Sequence, residues 1–243
     1  MTAHGRSRAA AELTEVLTTS TQPTEVVLAS AEWMALQLSE DGFTWSAARN
    51  SFERRTDCRL DSIRLESSTW NRTGRLIEFS FANLQTSDDK LLAWRQANPE
   101  LTVRRGKSVA GIVCASSFFD LSKQAKVVIT DVDGRIAVVD GACEIARAVA
   151  LPWFRSLESV ATIPEATLRP TGFSQDILEY FVSHGSLGEA RELIGRVNAI
   201  GPSYQQAFQE GRRLAHSGQQ PRWHTAPALG WSSAVLGLDE PGH

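Results

Sequence analysis

The chain has 243 residues, of which 42% are hydrophobic and 22% charged, and its formal net charge is −3. This composition excludes a largely disordered or collagen-like protein, and the absence of an apolar run of about 18 residues argues against a membrane span. The near-neutral charge argues against a broad phosphate-binding surface, which needs a basic excess. The length fits one large domain, or one domain with a smaller appendage.

The three cysteines, Cys58, Cys114 and Cys143, do not indicate a disulfide framework, and no pair has the Cys-x-x-Cys spacing of a zinc site. Residues 1–24 contain no apolar segment of the kind found in secretory signals. We therefore expect a cytoplasmic protein with reduced thiols, and we expect neither a bound metal nor another cofactor.

The N-terminal residues 1–23 are polar and rich in threonine, which predicts a disordered tail. The next segment predicts an amphipathic helix. Its apolar face consists of Val27, Ala31, Met34 and Leu38. Thr24 is the expected N-cap of this helix, and Gly42 is placed to end it.

A strand meander is predicted after this helix. Apolar and polar residues alternate at 63–66 and at 77–81, which is typical of antiparallel strands with one solvated face, and 71–74 supplies a turn. A short helix at 88–97 follows and ends before Asn98-Pro99, because the residue before a proline disfavours helical geometry.

More strands are predicted downstream. Residues 101–104 and 108–114 have strand character, and a hairpin is expected from 127–130 and 135–139 around the turn at 131–134. The sheet is therefore expected to be antiparallel.

The last third of the chain predicts helices. Asp140 is the expected N-cap of one helix and Ser174 of the next, with Ile177, Leu178 and Phe181 facing inward. Ser186-x-x-Glu189 predicts a capping box, and Gly201-Pro202 predicts the end of one helix and the start of another. Residues 217–243, rich in proline, glycine and serine, are expected to be extended.

These elements predict an α+β fold in which an antiparallel sheet is packed by an N-terminal helix and a C-terminal helical segment. The predicted organisation is a tail at 1–23 and an α+β domain at 24–165. A helical hairpin with a final helix packed on it follows at 166–216, and a second tail at 217–243.

One segment resembles a catalytic motif. Residues 127–134 read Val-Val-Ile-Thr-Asp-Val-Asp-Gly, which is similar to the first motif of haloacid-dehalogenase-type phosphotransferases. The resemblance would make Asp131 a nucleophile and Asp133 a general acid, and it would need a lysine farther along the chain to neutralise the phosphoryl charge. No lysine follows Lys126, and a second strand is expected immediately after the turn. We therefore interpret the segment as a hairpin turn.

Other polar residues carry weaker signals. His184 precedes a turn glycine and is expected to be a solvated turn residue. The basic pairs Arg54-Arg55 and Arg104-Arg105 leave a modest nucleic-acid role as a third hypothesis, which is disfavoured because the pairs are few and because Phe79 and Phe81 are expected to face the helices.

Residues 177–202 are similar to one tetratricopeptide hairpin. Gly185, Ala190 and Pro202 stand at the positions of that repeat's turn glycine, second-helix alanine and terminal proline, and Phe181 fits its aromatic position. A single unit builds no solenoid groove, so the resemblance implies only a packed pair of helices.

Residues 24–165 resemble a group of uncharacterised bacterial domains. The shared features are Gly42-Phe43 at a helix end, an aromatic–Arg strand at 52–54, the Leu-x-x-Ser stretch at 65–68, and Leu151-Pro152 at the end of a later helix. Such families include immunity proteins of bacterial toxin systems. The resemblance implies no catalytic residues.

The sequence therefore favours a non-enzymatic bacterial module that binds another protein, of the immunity or adaptor kind, and it disfavours nucleic acid and membranes as partners. Trp223 and Trp231 are the candidate partner-binding residues, either as exposed anchors or as part of a strap that packs back on the domain. The alternative is an enzyme or small-molecule-binding protein with its site between sheet and helix. Arg64, Glu66 and Glu78 are the candidates for such a cleft.

Overall fold

The computed structural model describes residues 3–102, 111–117, 126–163, 173–198, 200–221 and 226–238. The fold is α+β, as the sequence predicts. It divides into two compact units, one formed by 1–84 and 117–151 and the other by 85–116 and 152–243. Within the described ranges, no helix is long and apolar enough to cross a membrane.

The helices are α1 (Ala3–Thr19), α2 (Pro23–Leu38), α3 (Asp89–Ala97), α4 (Arg135–Arg155), α5 (Phe173–Ser183), α6 (Leu187–Asn198), α7 (Pro202–His216) and α8 (Ala226–Val235). The strands are β1 (Thr44–Ser46), β2 (Ser51–Thr56), β3 (Arg59–Ser67), β4 (Glu78–Asp88), β5 (Ile112–Ser117) and β6 (Lys126–Val128). Short 3₁₀ turns occur at Ser39–Asp41 and Val160–Thr162.

The sheet of the first unit follows the chain order β1-β2-β3-β4, and β6 pairs with the start of β4. Strand β2 pairs antiparallel with β1 and with β3, and β4 pairs antiparallel with β6, so that Phe52 lies opposite Ile63 and Phe79 opposite Val127. These four side chains are buried. The two strands predicted at 63–66 and 77–81 are therefore confirmed, and each is longer than its alternating segment.

Helix α2 begins two residues earlier than the capping pattern predicts. Pro23 occupies its first turn, and Gln22 stands at the N-cap position without a side-chain hydrogen bond. A proline fits the first turn because its missing N–H would have no partner there. Thr24 is therefore not the N-cap. Gly42 ends the following 3₁₀ turn at φ +84°, as its position predicts, because glycine adopts this left-handed conformation without strain.

Residues 3–19 form α1, where the sequence predicts a disordered tail. The Arg135 side chain holds the end of this helix: its Nη1 donates to the carbonyl oxygens of Leu17 (2.8 Å) and Ser20 (3.0 Å). Leu17 is fully buried. A guanidinium is well suited to the free carbonyls at a helix C-terminus. The local composition of 1–23 contains no sign of this contact, because Arg135 lies 118 positions from Leu17.

The hairpin predicted at 127–139 is wrong in its second half, because α4 begins at Arg135. Arg135 and Val139, which are four positions apart, are both buried, whereas Val138 is 43% exposed. Burial at every fourth residue is typical of a helix and not of the alternation in a strand. Asp140 is consequently no N-cap. It lies inside α4, where it accepts hydrogen bonds from Trp33 Nε1 (2.7 Å) and Gln37 Nε2 (2.6 Å) of α2.

In the second unit, Asp88 caps α3 by accepting a hydrogen bond from the Leu91 N–H at 2.8 Å. The short helix predicted at 88–97 is thus confirmed. Residues 103–110 lie outside the described residues. Of the strand predicted at 101–104, only residues 101 and 102 are described, and they form a bend. The later part of the strand predicted at 108–114 is confirmed by β5.

Helices α5 and α6 form the helical hairpin that the sequence predicts. Ile177, Leu178, Phe181 and Ala190 are all buried. The capping box is incomplete, because Glu189 accepts a hydrogen bond from the Val160 N–H (2.6 Å) while the Ser186 N–H bonds to the carbonyl of Phe181. Helix α7 begins at Pro202, as Gly201-Pro202 predicts.

The C-terminal segment predicted to be extended contains α8, which packs against α7. Trp231 is 4% exposed, and its Nε1 donates to the Gln219 carbonyl at 2.8 Å. Two glycines allow the helices to approach closely. A Cβ on Gly211 would lie 1.9 Å from the Pro227 carbonyl oxygen, and a Cβ on Gly230 would lie 1.9 Å from that of Phe208.

Candidate functional site

The predicted site residues lie in different environments. Glu66 and Arg64 are exposed on β3 and form an ion pair at 3.5 Å, and Glu78 begins β4. Trp231 is buried against α7, so of the two alternatives for this residue the structure favours the strap over the exposed anchor. Trp223 lies outside the described residues.

Glu66 and Glu78 line one polar cavity of the first unit, with a volume of about 230 Å³. Its other lining residues are Ser67, Ser68, Thr69, Phe79, Ser80 and Lys126. Arg64 is not among them. The cavity therefore brings together two of the three cleft candidates, and it adds an ammonium group and several hydroxyls that sequence reasoning missed.

Glu78 is held firmly at this cavity. The Asn71 side chain donates to the Glu78 carbonyl and accepts from its N–H, both at 2.8 Å, and Lys126 Nζ lies 3.2 Å from the carboxylate. A hydrogen bond from Ser68 and the contact with Lys126 lower the pKa of Glu78. Glu78 is therefore ionised at neutral pH, which suits a binding group and not a proton donor.

An apolar cavity of about 340 Å³ adjoins the polar one, since both are lined by Glu66 and Ser67. Its remaining lining residues are Thr24, Val27, Leu28, Ala31, Trp45, Asn50 and Leu65. Leu28 is 43% exposed, although it is a large apolar residue. We call the two adjoining cavities the groove. It has an apolar end at α2 and β1 and a polar end at β3, β4 and Lys126.

The Trp45 indole contributes a polar atom at the apolar end. Its ring packs against Phe52 at 4.9 Å between centroids, and within the described part of the chain its Nε1 has no hydrogen-bond partner although it is shielded from solvent. A buried N–H without an acceptor is costly. Alternation on β1 could have indicated that Trp45 faces one side, but not that this side forms a cavity.

Replacing Glu78 with glutamine is expected to destabilise the protein at pH 7 and to have much less effect at pH 3. The folded-state pKa of Glu78 is depressed, so its contribution is present above the unfolded-state value of about 4.3 and is lost as the pH falls through the folded-state value. Urea unfolding of both proteins at the two pH values measures this. An equal loss at pH 7 and pH 3 would contradict the ion-pair explanation.

The segment that resembles a phosphotransferase motif runs from β6 through a turn into α4, so the expectation of a following strand does not hold. Asp131 Oδ1 accepts a hydrogen bond from the Asp133 N–H at 3.1 Å, and Gly134 adopts φ +84°. Both aspartates are exposed. The carboxylate of Asp131 thus serves the turn itself, and β6 pairs antiparallel with β4.

His184 is not the solvated turn residue that the sequence predicts. Its Nε2 lies 3.4 Å from Asp88 Oδ2, its Nδ1 lies 3.0 Å from the Tyr180 carbonyl oxygen, and the Tyr180 ring packs on it at 4.2 Å. The Asp88 carboxylate is fully buried. The same carboxylate caps α3, so this contact connects α3 with the end of α5.

Of the two basic pairs named above, the structure describes Arg54-Arg55. Arg54 Nη2 lies 2.8 Å from the buried Asp61 carboxylate, and its guanidinium lies 4.7 Å above the Phe43 ring. Arg104 and Arg105 lie outside the described residues. Arg54 is therefore engaged within its own unit.

Comparisons of this chain with protein-family models, with curated proteins and with solved structures yield no match. The groove of the first unit, with its apolar end, its two carboxylates and its partly exposed Leu28, is therefore the feature from which a function is inferred.

Proposed function

We propose that the chain is a non-enzymatic protein-interaction module that binds a segment of a partner protein in the groove. The observation that supports this is a pair of cavities that share Glu66 and Ser67, one lined largely by apolar side chains of α2 and β1 and the other by carboxylates and hydroxyls. Recognition grooves for peptide segments combine apolar pockets with a few polar groups in this way.

The turn next to the polar end offers a further anchor. Trp70 is 74% exposed, and it directly follows Ser68 and Thr69, which line the cavity. The turn is held in place by the two hydrogen bonds between Asn71 and the Glu78 backbone. Exposed tryptophans on ordered segments are frequent hot spots of protein interfaces because they bury a large area at a low entropic cost.

Replacing Leu28 with lysine is expected to weaken capture of the partner about tenfold, because it places a charge at the apolar end of the groove. The measurement is affinity purification of the full chain from its native cells, with quantitative mass spectrometry of the proteins that co-purify. Leu187→Lys is the matched control, since Leu187 is also 43% exposed but lies on α6 in the second unit.

The proposal requires one protein that co-purifies with the wild type and with Leu187→Lys but is depleted with Leu28→Lys. Circular dichroism of all three proteins verifies that the folded state is retained. Equal recovery with Leu28→Lys and Leu187→Lys would refute binding in the groove. The identity of a depleted protein also decides the narrower proposal of an immunity or adaptor role, because an immunity protein would retain a toxin.

A second candidate function is the binding of a small molecule at the polar end. The observation that favours it is the placement of Glu66 and Glu78 around one cavity. Substitutions distinguish the two functions: a small polar ligand depends on Glu66 and not on Leu28, whereas a docked peptide segment depends on both. Thermal shift with a library of polar metabolites, applied to Glu66→Gln and Leu28→Lys, provides this comparison.

A further inference from the structure

The net negative charge of the groove lies mainly on the Glu66 carboxylate. Its lining includes the carboxylates of Glu66 and Glu78 and the ammonium of Lys126. Glu78 is already engaged by Lys126 at 3.2 Å, and a hydrogen bond from Ser68 also lowers its pKa. The Glu78 carboxylate therefore stays close to neutralised, and the net negative charge of the lining resides on Glu66.

The Glu66 carboxylate is held by fewer contacts than the Glu78 carboxylate. It faces Arg64 at 3.5 Å, and both side chains are 55% exposed. Exposed ion pairs of this kind are weak because solvent screens them, so a second cation can replace or join Arg64 at little cost. Glu66 is thus the carboxylate of the groove that can receive a cation from outside.

Glu66 also lies where the apolar and polar ends meet, since it lines both cavities. A group bound beside it would place its cation at the carboxylate and its apolar part between Leu28 and Trp45. An anionic group in the same position would meet a lining with net negative charge, and like charges across an interface are costly.

Resting on the proposed function, we propose that the partner segment presents a lysine or arginine beside an apolar residue, and that Glu66 recognises the cation. Specificity then comes from the charge at Glu66, while the apolar end supplies most of the buried area. Leu28 and Glu66 therefore have separable roles in the groove.

Three small probes of similar size test this inference with the purified full chain: phenethylammonium, 2-phenylethanol and 3-phenylpropionate, which carry a positive, no and a negative charge. Binding is followed by NMR through the indole N–H signal of Trp45, because this residue lines the apolar end. The signal is assigned by its absence from the spectrum of Trp45→Phe. The ammonium probe is expected to bind about fivefold more tightly than the alcohol, the upper end for a partly exposed ion pair, and the carboxylate probe more weakly than both.

Glu66→Gln is expected to abolish the preference for the ammonium probe, and Glu66→Lys to reverse it in favour of the carboxylate probe. Glu40→Gln is the control, because Glu40 is exposed in the same unit but lines neither cavity. Equal affinity for the three probes, no binding of any probe, or an unchanged preference in both Glu66 variants would overturn the inference. The proposed function fails separately, through unchanged partner capture by Leu28→Lys.

Discussion

Replacing Arg95 with methionine is expected to lower the free energy of unfolding by about 3–5 kcal/mol, because it removes the cation that faces two buried carboxylates. Arg95 Nη2 lies 2.6 Å from Asp176 Oδ1 and 2.5 Å from Glu179 Oε2, and all three side chains are at most 7% exposed. Burial lowers the pKa of Arg95, but the two carboxylates more than offset this and raise it above its ordinary value. The cation is therefore permanent.

The Arg95 guanidinium also joins three elements of the second unit. It connects α3, on which it lies, with α5 through the carboxylates, and its Nη1 donates to the Ile112 carbonyl of β5 at 2.9 Å. Loss of this side chain therefore removes a hydrogen-bond donor from the two carboxylates of α5 and from the Ile112 carbonyl of β5. A buried charge without a compensating partner costs more free energy than the loss of the attraction itself.

Arg213→Met is the control for Arg95→Met, because the Arg213–Glu210 pair on α7 is exposed at 69% and 46%. Its loss is expected to destabilise the protein far less than the loss of Arg95, because solvent screens an exposed ion pair. A triple variant that combines Arg95→Met with Asp176→Asn and Glu179→Gln should recover part of the stability, since it removes the stranded charges. Urea unfolding, monitored by circular dichroism, compares the four proteins. A loss below 1 kcal/mol in Arg95→Met would contradict this account of the network.

The second large effect is expected for Gly211→Ala, which should destabilise the packing of α7 against α8 by about 3 kcal/mol, the upper end for overpacking. The added Cβ would lie 1.9 Å from the Pro227 carbonyl oxygen, and this atom belongs to backbone that cannot move without displacing α8. Gly230→Ala should act alike, because its Cβ would lie 1.9 Å from the Phe208 carbonyl oxygen.

Gly195→Ala separates this packing effect from helix propensity. Gly195 is an exposed residue of α6 with nothing within 4 Å of an added Cβ, so alanine is expected to stabilise the helix by about 0.5–1 kcal/mol. Urea unfolding provides the stabilities, and the indole N–H NMR signal of Trp231, assigned by its loss in Trp231→Phe, reports whether α8 has moved, because this side chain is buried against α7. If Gly211→Ala were as stable as Gly195→Ala, the close approach of the two helices would be refuted.

The accuracy of the sequence predictions depended on how local the deciding interaction is. The strands at 63–66 and 77–81 were predicted correctly because alternation is visible within a few residues. Gly42 and Gly201-Pro202 were placed correctly because backbone preference acts at the residue itself. The segment at 135–139 was mistaken for a strand, because five residues do not distinguish alternation from a helical pattern that begins with a buried arginine.

The candidate site was predicted only in part. The sequence pattern indicates Glu66 and Glu78 as outward residues of neighbouring strands, and both line the groove in the structure. Leu28 and Trp45 were not selected, since nothing near them in the chain indicates that α2 and β1 border the same depression. Lys126 joins the site because β6 pairs with the start of β4, 48 positions away.

The sequence alone determined the α+β class, the antiparallel character of the strands and the inward faces of the helices, because periodicity and backbone preference are properties of short segments. Only the tertiary structure decided that both terminal segments contain helices. Arg135 holds the end of α1, and the glycines of α7 and α8 allow close packing of the C-terminal segment. It also decided where the groove lies, because a cavity is formed by residues that folding brings together from distant positions of the chain.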